Sequence, residues 1–236
     1  MNTILANLNE ILKAVRDHSA QNMRTLAVFD LDSTLFNVST RTQKIISEYA
    51  DLHQMDRLKN VRVLPEDWGI KEALGRAGFT LEKELELLRP LRDFWSERFF
   101  SDEYLHYDVP YSGAVSFVQE LEQAGCKINY LTGRDRIRMG RGSLEVLQKW
   151  GFPANEENLF LKPEKSEDDE LFKHNWFLQL DRSAYSKIFF FENEPININA
   201  VEATFPDVDI VFLDTTHARK QEVRPEVRRI RNFNRF

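Results

Sequence analysis

The chain has 236 residues, 42% of them apolar and 30% charged, and a net charge of −6. It is long enough to bury a sizeable core and too balanced for a disordered or collagen-like chain, and its acidity argues against nucleic-acid binding over the whole surface. A single cysteine, Cys126, excludes an internal disulfide and a Cys-rich zinc site and favours a reducing compartment, while no apolar run approaches the roughly 18 residues of a membrane span.

Ile4, Leu5, Leu8, Ile11, Leu12 and Val15 recur at helical spacing and predict a leading amphipathic helix. The same stretch lacks a continuous apolar segment and a small-residue cleavage site, so no secretory signal is expected and a cytoplasmic location is. Residues 26–29, LAVF, read as a buried strand, and Asp30-Leu31-Asp32 begins a loop. Four later runs have the same character, at 127–131, 158–161, 187–191 and 208–213. Helical patterns lie between them: Ala114, Val115, Val118 and Leu121 close at Gly125, and Leu144, Leu147 and Trp150 close at Gly151, where a left-handed residue ends a helix. Leu171, Phe172 and Trp176 form a third pattern ahead of the 187 strand. Continuous apolar strands alternating with helices imply a parallel sheet covered on both faces, an α/β three-layer sandwich.

Residues 37–107 break that rhythm. They show no clear strand, are rich in helix formers, and carry turn punctuation at Pro65, Gly69, Gly75, Gly78 and Pro90. A stretch of about 70 residues is too long for a connecting loop and suits a helical cap inserted into a core made of 1–36 and 108–236. Its aromatic run, Phe94, Trp95, Phe99 and Phe100, fits the insertion's own core better than a substrate lid. Residues 214–236 hold seven Lys or Arg against three Asp or Glu and read as a solvated basic tail.

In open α/β sheets, ligands bind beyond the carboxyl ends of the strands. Three of the predicted strands are followed by polar groups: Asp30-Leu31-Asp32-Ser33-Thr34, Thr132-Gly133-Arg134-Asp135 and Glu192-Asn193-Glu194-Pro195. Paired carboxylates can divide the work of nucleophile and general acid–base, but they repel a phosphate unless a cation intervenes. A lysine and an oxygen-loving divalent ion would serve. The donors favour Mg²⁺ over zinc, because the five histidines show no ligand spacing.

FDLDSTLF (29–36) and LTGR (131–134) resemble the first two motifs of the haloacid dehalogenase-like (HAD) superfamily of phosphatases, of the DxDxT type. The 100 residues from Asp32 to Thr132 leave room for the cap that family often inserts there. The resemblance implies a Mg²⁺-dependent phosphoric monoester hydrolase working through an aspartyl-phosphate. Asp30 would be nucleophile and metal ligand, and Asp32 the acid–base and a ligand through its carbonyl. Thr132 and Gly133 would hold the transferring phosphate. Lys173, in DDELFKHNWF, would be the motif lysine. FFFENEP matches the fourth motif with Glu192 in place of the usual Asp. Asn193 is then the expected metal ligand, with Glu192 acting on a metal-bound water or on Lys173; direct ligation by the longer Glu192 is the alternative. Arg134 either contacts the substrate phosphate or pairs with Asp135. A small phosphate ester is the expected substrate, a nucleic-acid 3′-phosphate end an alternative one. A phosphotransferase or mutase would share all four motifs, and a catalytically weak binding relative is the reading from another class.

Overall fold

A computed structural model describes residues 5–80 and 84–235. In chain order the elements are α1 (Leu8–Ala20), β1 (Thr25–Phe29), β2 (Phe36–Asn37), α2 (Ser39–Leu52), α3 (Asp56–Lys59), α4 (Ile70–Arg76), α5 (Leu85–Phe99), β3 (Val109–Pro110), α6 (Ala114–Gln123), β4 (Cys126–Asp135), α7 (Arg136–Trp150), β5 (Leu159–Lys162), α8 (Asp169–Gln179), β6 (Lys187–Glu192), α9 (Pro195–Thr204), β7 (Val208–Leu213) and β8 (Arg228–Ile230). A parallel six-stranded sheet has the order β5-β4-β1-β6-β7-β8. From β1 the chain builds outward through β4 and β5, then returns to β6 on the other side of β1 and builds outward again. The crevice where the order reverses lies at the end of β1.

The apolar runs are continuous because both faces of the sheet are covered. Leu26 and Val28 pack with Phe190 and with Phe177 of α8 and Ile198 of α9. Their alternates Ala27 and Phe29 face the other way, onto Phe191, α1 and α6. Gly125 and Gly151 sit at φ 92° and 85° beyond α6 and α7, as helix ends require.

The leading helix is shorter at its start than the spacing predicts. Asn7 caps it by accepting from the Asn9 amide, Leu5 lies outside it and is exposed, and Ile4 falls outside the described residues. The basic tail is not a solvated end. It supplies β8, paired with β7, and buries Val227, Ile230 and Phe233, while Arg224 and Arg235 pair with Glu202 and Glu120.

Between β2 and β3 the chain forms helices α2–α5 and a short 3₁₀ segment, Asp102–Tyr107. These helices carry their own apolar cluster, with Ile46, Tyr49, Leu58, Leu74, Phe79 and Leu91 at its centre. Two positions read as turn punctuation are helical: Gly75 lies in α4 and Pro90 in α5. The short strands β2 and β3 pair antiparallel, Phe36 with Pro110 and Asn37 with Val109. The chain therefore leaves and re-enters the sheet domain through adjacent backbones, next to Asp30 and Asp32.

Candidate active site

Asp30 follows β1 directly, and its amide donates to the Phe191 carbonyl of β6 at 3.0 Å, which holds the carboxylate over the crevice. The next residues wind tightly. The Leu31 carbonyl accepts from Thr34, Leu35 and Phe36, and Ser33 is driven to φ 62°, a left-handed conformation uncommon outside glycine. Such strain persists where surrounding structure fixes it, and Asp30 and Asp32 flank it.

Lys173 reaches this point from α8. It shares a helix face with Phe177, four residues on, and these two are the buried side chains of that helix. Its Nζ donates to Asp30 Oδ1 at 2.6 Å and to Glu192 Oε2 at 2.7 Å. Burial alone would lower the Lys173 pKa, but Asp30 and Glu192 outweigh it and hold the ammonium above its ordinary value. Burial pushes Asp30 the other way, up to about 7; Lys173 pulls it back and Glu192 adds to the rise. One cation is thus shared by two buried carboxylates.

Glu192 is fully committed. Oε1 accepts from the backbone amides of Asn193 and Glu194, both at 2.9 Å, and Oε2 accepts from Lys173 and from Asn197 Nδ2 at 3.2 Å. The extra methylene of Glu over Asp is what lets one carboxylate span the loop and Lys173 together. Direct metal ligation by Glu192 is therefore the weaker of the two expectations. Asn193 is fixed by its neighbours: Nδ2 donates to the Thr216 carbonyl at 2.7 Å, and Oδ1 accepts from Thr34 Oγ1 at 3.0 Å.

Among the described residues, no hydrogen-bond donor reaches Asp30 Oδ2 or the Asp32 carbonyl. With Asn193 Oδ1, these make an all-oxygen donor set carrying one negative charge. No cluster of three His, Cys, Asp or Glu suited to a metal occurs among the described residues. The set fits a hard cation that keeps several waters, such as Mg²⁺, and not a zinc site.

Thr132 and Gly133 do not form a turn after β4. The strand continues to Asp135 through a bulge, its register with β5 shifting between Thr132 and Asp135. Such a bulge bends the strand locally, and Thr132 and Gly133 on it line the cavity. A Cβ on Gly133 would lie 2.5 Å from an Asp169 carboxylate oxygen, so a side chain there would displace the carboxylate that Asp169 of α8 holds against Lys162.

Arg134 does not pair with Asp135, which instead caps α7 and binds Arg138. Arg134 is buried; its Nη2 donates to Asp32 Oδ1 at 2.6 Å and to Asp108 Oδ2 at 2.7 Å, and its Nη1 to Ser143. Its guanidinium is thus engaged by protein acceptors rather than free for a phosphate. Arg41 of α2, fully buried, completes this network. It donates to Asp32 at 2.7 Å and to the Phe99 carbonyl at 2.8 Å, lies 2.9 Å from Asp108, and stacks on the Phe99 ring with 3.9 Å to the centroid. Burial would raise the Asp32 pKa, but Arg134 and then Arg41 outweigh it and hold the carboxyl below its ordinary value.

Arg41, Asp108, Asn197 and Trp68 escape sequence reasoning. Arg41 and Asp108 sit beside the two ends of the insertion, and only the β2–β3 pairing brings them together. Asn197 carries a faint signal, in the first turn of α9 and so near the Glu192 loop.

The site opens into a cavity of about 570 Å³ walled by the sheet edge below and by α4, α5 and the residues around Trp68 above. Asp30, Asp32, Thr132, Gly133, Lys173, Glu192 and Asn193 all line it. The aromatic run divides: Phe94 packs on Tyr49 in the insertion's core, Trp95 both packs against that core and lines the cavity, and Phe99 and Phe100 face the cavity.

A family model described as haloacid dehalogenase-like hydrolase matches residues 25–150, more than half of the chain, from β1 through α7. The chain belongs to this family of hydrolases. No curated protein sequence matches it. Among solved structures it is similar to a hydrolase from Streptococcus pneumoniae TIGR4, with a TM-score of 0.52 and 14% identity over 80% of this chain and 91% of that one. It is also similar to a Clostridium difficile protein named as a phosphatase by inference, with a TM-score of 0.53 and 11% identity over 80% and 85%. At these identities the likeness concerns the fold: a parallel α/β sheet with helices on both faces.

Proposed function

We propose that this hydrolase cleaves phosphate monoesters through an aspartyl-phosphate on Asp30, with Mg²⁺ as cofactor, and that residues 37–107 act as its cap. The observation that carries this reading is the Lys173 bridge. It pairs with both Asp30 and Glu192, leaving one net negative charge, while Asp30 Oδ2 meets no donor among the described residues at the floor of a cavity. An oxygen of Asp30 attacks phosphorus, the Asp–O–P bond forms, and the bond to the leaving oxygen breaks. The departing alkoxide takes a proton from Asp32. Water then attacks phosphorus, giving its proton to Asp32, and Asp30 is released with inorganic phosphate. Thr132 and the Gly133 amide orient the phosphoryl oxygens, and Lys173 offsets their charge.

Asp32 as seen here is an ionised acceptor held by two arginines, the form that takes a proton from water. Donating a proton in the first half requires relaxing that grip, and Arg41 is the contact that movement of the cap would release. Mg²⁺, held by Asp30, the Asp32 carbonyl and Asn193, would supply charge neutralisation at the transferring phosphate. Glu192 serves as the partner of Lys173. Among the described residues no helix is long and apolar enough to cross a membrane. Cytoplasmic action is the accompanying reading, supported by the lone thiol Cys126.

Arg224, Arg228, Arg229 and Arg235 of the tail pair with carboxylates, so a small ester is preferred over a nucleic-acid end as substrate. Phosphate release from a panel of monoesters, with Mg²⁺ and with excess chelator, tests the reading. Release is expected only with the metal, together with an acid-trapped protein phosphate lost in Asp30→Asn. Release from no ester, or undiminished release in chelator, overturns it.

A further inference from the structure

The walls above the phosphate site differ in kind from its floor. The floor is ionic, whereas the insertion contributes mainly carbon: Trp68, Ile70, Phe79, Trp95, Phe99 and Phe100. Three of these make a continuous aromatic wall, with ring centroids 4.7 Å apart for Trp95 and Phe99, 5.0 Å for Phe99 and Phe100, and 6.1 Å for Trp95 and Phe100. Arg41 fixes this wall to the floor, because it stacks under Phe99 while donating to Asp32.

Trp68 stands on the insertion, 56% exposed, yet it is not free to swing. Its Nε1 donates to Glu194 Oε1 at 3.0 Å, across to the residue that opens α9, and Glu194 is gripped in turn by the Ala218 amide. A half-exposed indole tethered over a cavity is a preorganised surface for a flat apolar partner. The indole N–H is already used, so Trp68 has only its ring to offer. The same holds for Trp95, whose Nε1 donates to Thr42 Oγ1.

The insertion's charged side chains in the cavity wall are Lys71, Glu72 and Arg92, and Lys71 and Arg92 are exposed. A polyhydroxylated leaving group would bring hydroxyls against ring faces that cannot satisfy them, at a desolvation cost. An aromatic leaving group would lose nothing there and would bury its own apolar area.

We infer that the leaving group of the substrate is aromatic and poor in hydroxyls, seated against Trp68 and the Trp95–Phe99–Phe100 wall. The inference rests on the phosphatase reading of the floor but concerns a separate surface, so the two can fail separately. Benzyl phosphate and glycerol phosphate both expel an alkoxide of an alcohol, which limits intrinsic leaving-group differences. Their kcat/KM values are compared with Mg²⁺ present, and binding of benzylphosphonate and methylphosphonate, which are not hydrolysed, is measured by calorimetry. Benzyl phosphate is expected to be favoured at least tenfold in kcat/KM, and benzylphosphonate to bind at least tenfold tighter than methylphosphonate. Trp68→Ala, at a half-exposed position, should cut the benzyl-to-glycerol ratio at least threefold.

Turnover of both esters without a benzyl preference overturns the inference and leaves the phosphatase reading standing. Turnover of neither, with the tenfold phosphonate difference retained, overturns the phosphatase reading while the aromatic site stands. Equal phosphonate binding overturns the inference whatever the turnover. Should Trp68→Ala not fold, the wild-type comparisons still decide the matter.

Discussion

The sheet edge and the helical insertion meet at one cavity but are held together by opposite means. At the sheet edge, side chains from β1, β4, β6 and α8 converge as charges, and each buried charge has an opposite neighbour: Lys173 with Asp30 and Glu192, Arg134 with Asp32 and Asp108. The insertion is organised by carbon, through its own apolar cluster and its cavity-facing rings. Its side-chain links to the edge include Arg41 to Asp32, Trp68 to Glu194, and Thr216 to the Glu66 carbonyl, and away from the edge its 3₁₀ segment packs on α7, where the Gly142 amide donates to Asp102 and Lys149 to the His106 carbonyl. The charges proposed to act on phosphorus need fixed positions, and a parallel sheet buried on both faces is a rigid platform for them. A surface that selects substrates can sit on a separate unit, because its demands are shape and apolarity.

The largest effects should come from the edge. Asp30→Asn replaces the proposed nucleophile by an amide, and turnover should fall by about 10⁴-fold or more, read as phosphate release. Lys173→Met leaves two carboxylates buried without their cation. Removing one partner of a buried pair costs about 3–5 kcal/mol, so both turnover and the midpoint of chemical denaturation should drop. Unchanged stability in Lys173→Met would mean that the carboxylates find water or a proton, and that the edge is looser than its contacts imply.

The matching change in the insertion is Leu74→Ala, in its apolar cluster. A buried Leu→Ala costs about 2–5 kcal/mol. Here the loss should be local: amide hydrogen exchange quickens in α2, α4 and α5, while β1 and β6 keep their protection. Equal loss of protection in β1 would break the comparison and make the insertion one cooperative unit with the sheet.

The difference between the regions also decides how much could be read from the sequence. The five apolar runs became β1, β4, β5, β6 and β7 because strands buried on both faces need no polar alternation. β8 escaped because Arg228 and Arg229 dominate its composition; its burial rests on Val227, Ile230 and Phe233, too scattered to form a run. Asp30, Asp32, Thr132, Lys173, Glu192 and Asn193 were legible, since each follows a strand or sits where a motif places it, and all line one cavity. What each one touches was not legible. The partners of Arg134 are set by the pairing of β2 with β3, which two-residue strands barely announce. The aromatic run could not be divided either, because facing the insertion's core or the cavity depends on how α5 is rotated.

A smaller effect separates Asn193 from Glu192. Asn193→Ala removes a proposed direct ligand and should weaken Mg²⁺ binding by at least the roughly 10–100-fold seen when an outer partner of a ligand is lost, whereas Asn193→Asp should hold or tighten it. Glu192→Gln removes the charge that Lys173 answers and should slow turnover while moving Mg²⁺ affinity less. Titration of the three variants by calorimetry decides. A greater loss of affinity in Glu192→Gln than in Asn193→Ala would make Glu192 the ligand.

The smallest expected effect lies at the end of the sheet away from the chemistry. Cys126 opens β4, is buried, and burial pushes its thiol up from 9.0 to about 11. The folded protein therefore binds a thiol proton that the unfolded chain has already lost in that window. The associated stability is intact below pH 9 and fades as pH rises toward 11, by on the order of 1–2 kcal/mol relative to Cys126→Ala. At pH 8 the native thiol is both protonated and covered, so a maleimide should label it only through opening of β4, far more slowly than in denaturant. Leu74→Ala gives the control, since a local defect in the insertion should leave that labelling rate alone. Faster Cys126 labelling in Leu74→Ala would show the two regions coupled across the whole sheet rather than separately stable.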